Sequence, residues 1–367
     1  MKELVINHFL DYEFVYIFLF CSLIFLFVSI FIKQKTIKKL SILLFSIFVV
    51  FSLFELTIAI FYGKNEIEYN CGYFNKIINN EIDVHREIKF HDNNNEEHIV
   101  EDNKNLNNYD NYRIIYDAVY STYNNGFRQT KGNINSEETY IFLGCSFVFG
   151  DGLNDDETLP FYFSKKFNFK KNVINCGMHG ISINAALNVL NNELFLPLIN
   201  NKNPNIKHCF YSFMCDSLNR NFRYEGKCLD GCLYKNNKCY IPTKIGKIKY
   251  IFARSYIFRK IFVPIIDEYF YKYYEDYMIE SLKEINKIVE EKYKSRLTII
   301  VWDIDKYNKE FIEKLKQTSL DIVWLSDKFN LEEDDYRIKY DHHPTAKANK
   351  EIAEILYNHI KEHDKIK

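Results

Sequence analysis

The chain has 367 residues, of which 47% are hydrophobic, and its formal net charge at pH 7 is −1. This length accommodates one large domain with appendages or two modest domains, and the apolar fraction is enough for a substantial core. A nearly neutral chain has no general electrostatic attraction for nucleic acid, so the composition excludes nucleic-acid binding through overall positive charge. The function must therefore be sought in particular segments.

Two apolar segments lie near the N-terminus. Residues 14–32 contain no charge, and residues 40–62 carry only Glu55. A bilayer core about 30 Å thick is crossed by about 20 helical residues, so each segment predicts a transmembrane span. The connecting KQKTIKK holds four lysines in seven residues, which by the positive-inside bias places it in the cytoplasm. Residues 1–63 are therefore predicted to form a transmembrane hairpin, with the rest of the chain extracytoplasmic, on the periplasmic or cell-surface side.

Two features of this hairpin have alternative interpretations. A cleaved signal peptide is the alternative for the first span, but the acidic leading segment and the lack of a small-x-small cleavage site favour an uncleaved helix. Glu55 is either a functional intramembrane acid or a residue that reaches the interface. Its place in the outer third of the helix favours the interface.

The remainder of the chain divides by composition. Residues 64–111 are polar and rich in Asn, Asp and Glu, which predicts an extracytoplasmic linker. In residues 112–367 short apolar runs alternate with helical patterns, which predicts one α/β domain with an insertion at about 221–274. The expected fold is a flavodoxin-like three-layer α/β/α domain with a mostly parallel five-stranded sheet. The predicted strands are Thr139–Leu143, Asn172–Asn175, His208–Met214, Leu297–Trp302 and Asp321–Leu325.

Of the nine cysteines, Cys21 lies in the first predicted span, and the others are either clustered in polar sequence or placed in or beside apolar runs. Cys228, Cys232 and Cys239 cluster in a polar stretch, and in an oxidising compartment this favours a disulfide, Cys232–Cys239 being the simplest. Cys71 could then pair with Cys228. A zinc site would require four clustered ligands and only three are present, so neither a metal nor another cofactor is predicted. Buried thiols are expected at Cys145, Cys176, Cys209 and Cys215.

One serine lies where a nucleophile would be expected. The first strand of the domain ends at Gly144-Cys145-Ser146, and parallel α/β sheets place their sites at the carboxyl ends of strands. A serine nucleophile needs a base and an acid that orients the base. Residues two apart in an extended segment face the same side, so Asp341 can hold His343 while the other ring nitrogen faces Ser146.

Other polar and glycine residues follow neighbouring strands. The second strand runs into NCGMHG, where Gly180 lets a backbone N–H approach a ligand and His179 is a rim residue. The third strand runs into CDSLNRN, which places Asp216, Asn219 and Arg220 at the same edge. Arg128, upstream of the first strand, is either a structural pin or a contact for substrate charge. The candidate substrate rim is therefore Asp216, Arg220 and Arg128.

These blocks resemble the SGNH (GDSL-like) hydrolase superfamily over residues 126–360, about two-thirds of the chain. The matching motifs are Gly144-Cys145-Ser146 with FVFGDGLNDDETLP, the Asn175–Gly180 block, Asp341-His342-His343-Pro344 and the Asn125–Arg128 stretch that precedes the first block. The version present here is similar to membrane-attached, polysaccharide-modifying bacterial branches.

The resemblance implies site roles. Ser146 would be the nucleophile, His343 the general base and Asp341 its partner. The backbone N–H groups of Ser146 and Gly180 would bind the oxyanion. The family's third block, Gly-x-Asn-Asp, is replaced here, and Asn219 is the candidate for its side-chain donor.

The sequence and the resemblance together predict a membrane-anchored serine esterase acting on acyl esters, O-acetyl groups of cell-surface glycans above all. Two alternatives stay open. One is an O-acyltransferase of the same fold that works with a membrane acyl-donor protein. The other is an inactive scaffold that binds glycan or an assembly partner. The expected partners are an acylated glycan or small acyl ester and the lipid bilayer, without nucleic acid.

Overall fold

The computed structural model describes residues 13–62, 82–92, 95–101, 112–123, 125–201, 204–214, 233–235, 238–240, 265, 268–302, 308–328, 330, 333 and 335–365. The N-terminal helices and the α/β part of the chain fall into two separate units. In chain order the elements are α1 (Glu13–Phe31), α2 (Lys35–Tyr62), β1 (Ile82–His91), β2 (Glu97–Glu101), β3 (Arg113–Tyr123), β4 (Glu138–Gly144), α3 (Ser146–Phe149), α4 (Leu159–Lys166), β5 (Asn172–Gly177), α5 (Ile183–Asn191), β6 (Asn205–Phe213), β7 (Leu233–Lys235), β8 (Lys238–Tyr240), α6 (Tyr271–Tyr293), β9 (Leu297–Val301), α7 (Lys309–Lys316), β10 (Asp321–Trp324) and α8 (Ala346–Lys365).

Helices α1 and α2 pack against each other through aromatic side chains. Phe25 stacks on Phe48 at 5.5 Å between ring centroids, and Phe18 lies 5.9 Å from Phe51. Within the described residues one helix, over Lys35–Leu53, is long and apolar enough to cross a membrane, and α1 supplies a shorter apolar stretch over Phe18–Phe31. The second span and the orientation of the hairpin remain predictions.

A three-stranded antiparallel sheet precedes the central sheet, in the order β2-β1-β3. The prediction of a linker over residues 64–111 is therefore wrong where β1 and β2 lie. The segment is rich in Asn and Asp, which favoured a linker. It nevertheless contains Ile88 and Phe90, two apolar residues spaced two apart that are buried on one face of β1. Strand β3 buries Tyr116, Ala118 and Tyr120 with the same period of two.

The central sheet has five parallel strands in the order β5-β4-β6-β9-β10. Counted along the chain, this is the 2-1-3-4-5 order of a flavodoxin-like, doubly wound fold. The predicted α/β architecture is confirmed, and each predicted strand overlaps an observed one. Because all five strands are parallel, their carboxyl ends meet along one edge.

Both faces of this sheet are covered, which explains why its strands lack polar alternation. On one face Phe142 stacks on Phe210 at 4.6 Å between centroids and packs with Phe163 of α4 and with α8. On the other face Phe213 contacts Phe311 of α7. Of the predicted buried thiols, Cys145, Cys176 and Cys209 are free and buried, whereas Cys215 lies outside the described residues.

The insertion predicted at about 221–274 is described only in part. Strands β7 and β8 form an antiparallel hairpin within it. The proposed disulfide partners Cys71, Cys228 and Cys232 lie outside the described residues, as does the side chain of Cys239.

Candidate active site

Ser146 lies at the sharp turn that follows β4. It is the first residue of the short helix α3, and its carbonyl oxygen accepts hydrogen bonds from the N–H groups of Gly150 (2.7 Å) and Asp151 (3.2 Å). Gly144, at the end of β4, has a φ of +154°, and a Cβ there would lie 2.8 Å from side-chain atoms of Ser212 and Val148. The strand can therefore turn at this point only because Gly144 has no side chain.

Asp341 and His343 are paired in the loop that leads to α8. His343 Nδ1 lies 2.5 Å from Asp341 Oδ2, within hydrogen-bond distance. The pairing was expected from an extended segment, but the loop is a tight turn in which His342 has a φ of +67°. The Ile338 carbonyl accepts the N–H of both Asp341 and His342, so backbone hydrogen bonds hold the turn. The two side chains face each other across the turn rather than along a strand.

The carboxylate of Asp341 is almost fully enclosed, with 2% of its side chain exposed. Burial alone would raise its pKa, but hydrogen bonds from His343 and Lys89 lower the pKa to about 2. Asp341 is therefore ionised over the whole working range of a histidine. An ionised carboxylate on Nδ1 fixes the imidazole tautomer and leaves Nε2 available for chemistry.

Lys89 of β1 is the second partner of Asp341. Its Nζ lies 2.5 Å from Asp341 Oδ1 and 2.8 Å from Glu97 Oε1 of β2. Burial would lower the pKa of Lys89, but hydrogen bonds to these two carboxylates raise it above its usual value, so the lysine stays charged. The small antiparallel sheet thus supplies a positive charge to the carboxylate behind His343.

Asp151 lies on the other side of His343. Its Oδ2 is 3.6 Å from His343 Nε2, and its two carboxylate oxygens are 2.8 and 3.0 Å from Nδ1 of His179. Burial would lower the pKa of His179, but the carboxylate of Asp151 raises it. Two Asp–His pairs, Asp341–His343 and Asp151–His179, therefore meet at one place.

Two residues that follow Ser146 contact the imidazole of His343. The ring of Phe147 lies 5.3 Å from the His343 ring in an edge-to-face contact, and Asp151 lies beside Nε2. Ser146 is thus flanked, one residue and five residues on, by side chains that contact the same imidazole. The structure pairs Asp341 with His343 and places Phe147 and Asp151, from the segment that begins at Ser146, against the same imidazole. The hydrogen bond between the Ser146 hydroxyl and His343 stays a prediction.

The second block lies at the same edge. The N–H of Met178, directly after β5, donates to the carbonyl of Gly144 at 3.1 Å, so the ends of β4 and β5 are joined. Gly177 approaches α3 so closely that a Cβ there would lie 2.3 Å from the backbone nitrogen of Phe149. Gly180, the candidate oxyanion donor, follows in a left-handed conformation with a φ of +61°.

Arg128 is not a substrate contact, so its inclusion in the candidate rim is wrong. It is buried, and its guanidinium donates to the carbonyls of Gly150 (2.7 Å) and Leu153 (2.6 Å) and to Asp155 (3.0 Å). It also lies over the ring of Tyr120 at 4.4 Å. Arg128 is the structural pin of the loop that runs from Ser146 to Asp155, because only a planar, multiply donating cation can satisfy these acceptors together.

Replacing Arg128 with methionine is expected to destabilise the protein by about 3–5 kcal/mol, because several buried carbonyls lose their donor. A thermal melt should show a decrease in Tm on the order of 10 °C. The matched control is Arg86→Met, which removes a half-exposed ion pair with Asp117. Such pairs are worth up to about 1 kcal/mol. Equal melting temperatures for the two variants would contradict the role of Arg128 as a pin.

Three predicted site residues, Asp216, Asn219 and Arg220, lie outside the described residues. Two residues next to the site were not predicted. Lys89 was missed because it lies in the segment interpreted as a linker. Asp151 belongs to the first motif and lies five residues after Ser146. This short separation was the signal that could have indicated its place near the site.

No family model and no curated protein matches the chain. Among solved structures it is similar to the lipase Lip_vut3 from a goat rumen metagenome, with 16% identity, a TM-score of 0.38 and coverage of 60% of this chain and 96% of that one. It is also similar to a carbohydrate esterase family 2 enzyme of Corynascus thermopiles, with 10% identity, a TM-score of 0.33 and coverage of 77% of this chain and 88% of that one. A third similar structure is the SGNH-hydrolase family esterase AlinE4, with 15% identity, a TM-score of 0.31 and coverage of 63% of this chain and 98% of that one. Because these TM-scores lie below 0.5, the functional assignment rests on the geometry around Ser146.

Proposed function

We propose that the protein is a serine ester hydrolase in which Ser146, His343 and Asp341 form a catalytic triad. The observation that carries this proposal is the 2.5 Å contact between Asp341 Oδ2 and His343 Nδ1. Ser146 begins the helix that follows β4, and Phe147 and Asp151 of that segment contact the same imidazole. A serine hydroxyl is activated by an imidazole that a buried, ionised carboxylate holds in place, and Asp341 and His343 form such a pair.

The reaction would proceed in two steps through a covalent intermediate. The Ser146 hydroxyl attacks the ester carbonyl and transfers its proton to His343 Nε2, and backbone N–H groups of Ser146 and Gly180 bind the oxyanion. Collapse expels the alcohol, which takes the proton from His343, and leaves an acyl group on Ser146. Water then attacks the acyl-enzyme and gives a proton to His343. Cleavage of the bond between Ser146 Oγ and the acyl carbon releases the acid product, and Ser146 Oγ takes the proton back from His343.

Asp341 and Lys89 would set the electrostatics of both steps. When His343 takes a proton, the carboxylate of Asp341 stabilises the imidazolium that forms. Asp151, 3.6 Å from Nε2, adds a second negative charge beside it. Lys89, 2.5 Å from Asp341 Oδ1, offsets part of this negative charge.

The proposed substrate class is short acyl esters, O-acetyl groups of cell-surface glycans above all. Two features support this choice: the apolar N-terminal helices, which would anchor the chain to a membrane with its α/β domain outside, and the resemblance to polysaccharide-modifying branches of the SGNH superfamily. An acyltransferase would use the same acyl-enzyme and would pass the acyl group to a glycan hydroxyl instead of water, with a membrane acyl-donor protein as its partner.

The proposed function is tested with the full-length protein in detergent. We expect it to release acetate from O-acetylated xylan and p-nitrophenol from p-nitrophenyl acetate, and to leave N-acetylated chitin oligomers intact. The amide is the matched control, because it presents the same acetyl group on a poorer leaving group. Adding a soluble glycan acceptor distinguishes transfer from hydrolysis, since a transferase would give an acylated acceptor in place of free acetate. Absence of both products would contradict the proposal and favour a binding scaffold.

Replacing Lys89 with methionine is expected to change the pH dependence of this activity. Catalysis requires a neutral imidazole as base, so kcat/KM is expected to rise with pH on the acid side of its profile. Without the lysine charge, the negative charge of Asp341 stabilises the imidazolium more strongly, and the acid limb should move to higher pH by about one pH unit. Lys89→Arg keeps the positive charge and should restore the pH dependence of kcat/KM seen in the unaltered protein. An unchanged pH profile for Lys89→Met would show that the lysine does not act on His343.

A further inference from the structure

A second group of chemically active side chains lies at the edge of the sheet opposite Ser146. Asp321 is the first residue of β10, and His359 and His363 face it from the last turns of α8. Nε2 of His359 is 2.8 Å from Asp321 Oδ1, and Nε2 of His363 is 3.7 Å from the same oxygen. The proposed ester chemistry uses none of these three residues.

The spacing of the three ligand atoms fits one small cation. They all lie within 4.8 Å of one another. Ligand atoms around a tetrahedral zinc ion are roughly 3.3 Å apart, which follows from metal–ligand distances of about 2.0–2.2 Å. Two histidines separated by four residues on a helix lie on one face, and here their rings are 4.6 Å apart. Small side-chain adjustments would therefore surround an ion with two imidazole nitrogens and one carboxylate oxygen.

The carboxylate of Asp321 is held in place by a chain of hydrogen bonds. The hydroxyl of Thr298 donates to Asp321 Oδ2 at 2.6 Å, so it must accept from Nε2 of His208, which is 2.7 Å away. Burial lowers the pKa of His208 to about 3, so this histidine is neutral and its Nε2 carries the single proton. Outer hydrogen bonds of this kind orient the ligands of metal sites and fix their protonation.

The accessibility of the group also suits a metal. The side chains of Asp321, His359 and His363 are 31%, 21% and 41% exposed, so an ion and a water ligand can reach them. Zinc prefers imidazole with carboxylate, and it accepts water as a fourth ligand.

We propose that Asp321, His359 and His363 bind a divalent first-row transition-metal ion. Two imidazole nitrogens and one carboxylate oxygen favour zinc as this ion. The ion would connect the C-terminal half of α8 to the edge strand β10. Because α8 begins at Ala346, directly after the loop of His343, a metal at its far end would stabilise the helix on which that loop is mounted. The site is independent of the proposed esterase function.

The test uses the full-length protein in detergent, stripped of metal with a chelator and titrated with Co²⁺ and then Zn²⁺. We expect one Co²⁺ ion with weak d–d absorption and no thiolate charge-transfer band, displaced by Zn²⁺. His363→Gln and Asp321→Asn should weaken the binding of this ion by at least about 10- to 100-fold, since the loss of one outer partner alone has that effect. Zn²⁺ should raise the Tm of the unaltered protein, and at the same Zn²⁺ concentration it should raise that of His363→Gln by less.

The matched control is Glu362→Gln, which removes a charge from the same helical turn without removing a ligand. It should bind Co²⁺ as the unaltered protein does. A Co²⁺ spectrum that is the same in His363→Gln as in the unaltered protein would overturn the proposal. So would a spectrum dominated by thiolate charge transfer, which would place the metal on cysteines instead. Because His363 is partly exposed, its replacement should not prevent folding, and circular dichroism of the stripped protein verifies this.

Discussion

Replacing Ser146 with alanine is expected to lower the kcat for p-nitrophenyl acetate by about 10⁴- to 10⁶-fold, the range seen when a triad nucleophile is removed. The reason is that no acyl-enzyme can form without the hydroxyl, and the two-step pathway is lost entirely. The residue is small and its turn is held by backbone groups and by Gly144, so the variant should keep its fold. The measurement is steady-state hydrolysis at pH 8, with melting curves to confirm folding.

The control for this prediction is Ser164→Ala. Ser164 is also buried, but its hydroxyl donates to the carbonyl of Lys131 at 2.6 Å, away from His343. We expect its loss to reduce stability by about 1 kcal/mol and to leave kcat within a factor of two or so. Similar activities for Ser146→Ala and Ser164→Ala would show that Ser146 takes no part in the reaction.

Replacing Asp341 with asparagine is expected to reduce kcat by about 10⁴-fold while the geometry of the loop is retained. The amide would donate to His343 Nδ1 and move the ring proton to Nε2, which could then no longer accept the proton of Ser146. Lys89, which now contacts Asp341 Oδ1, would lose an ionised partner but keep Glu97. The measurement is the pH profile of kcat/KM, compared with that of the unaltered protein.

The matched control for Asp341→Asn is Asp335→Asn in the same loop region. Asp335 is exposed and forms a 2.8 Å ion pair with Lys347, without contact to His343. We expect this variant to keep full activity, because exposed pairs contribute little. If Asp341→Asn also kept full activity, the carboxylate would have no part in holding the imidazole.

The central sheet was predictable because its signals are local. Strands such as Ile141–Leu143 within β4 are continuous apolar runs, and the helices between them carry apolar stripes at helical spacing. Their alternation along the chain leaves few topologies, and the 2-1-3-4-5 order is one of the commonest. The pairing of Asp341 with His343 was also predictable, since the two are only two residues apart. The turn that achieves this pairing was not, because the left-handed φ of His342 has no sequence signal at a non-glycine residue.

Other parts of the site depend on contacts between distant residues. Lys89 reaches Asp341 across 252 positions of the chain, and nothing in the polar composition around Lys89 indicates a buried charge. Arg128 could be interpreted from sequence as a pin or a substrate contact with equal justification. Its burial settles the choice, because a guanidinium surrounded by backbone carbonyls of the loop has no surface left for a ligand.

The most direct test of the account is covalent labelling of the full-length protein with diethyl p-nitrophenyl phosphate, which stops a serine esterase at the phosphorylated nucleophile. Intact mass and peptide mapping would report where the phosphoryl group is bound. A single label on Ser146, formed at a rate that rises with pH and lost in His343→Gln, is the predicted result. Labelling at another residue, or ester hydrolysis without any label on Ser146, would contradict the triad of Ser146, His343 and Asp341.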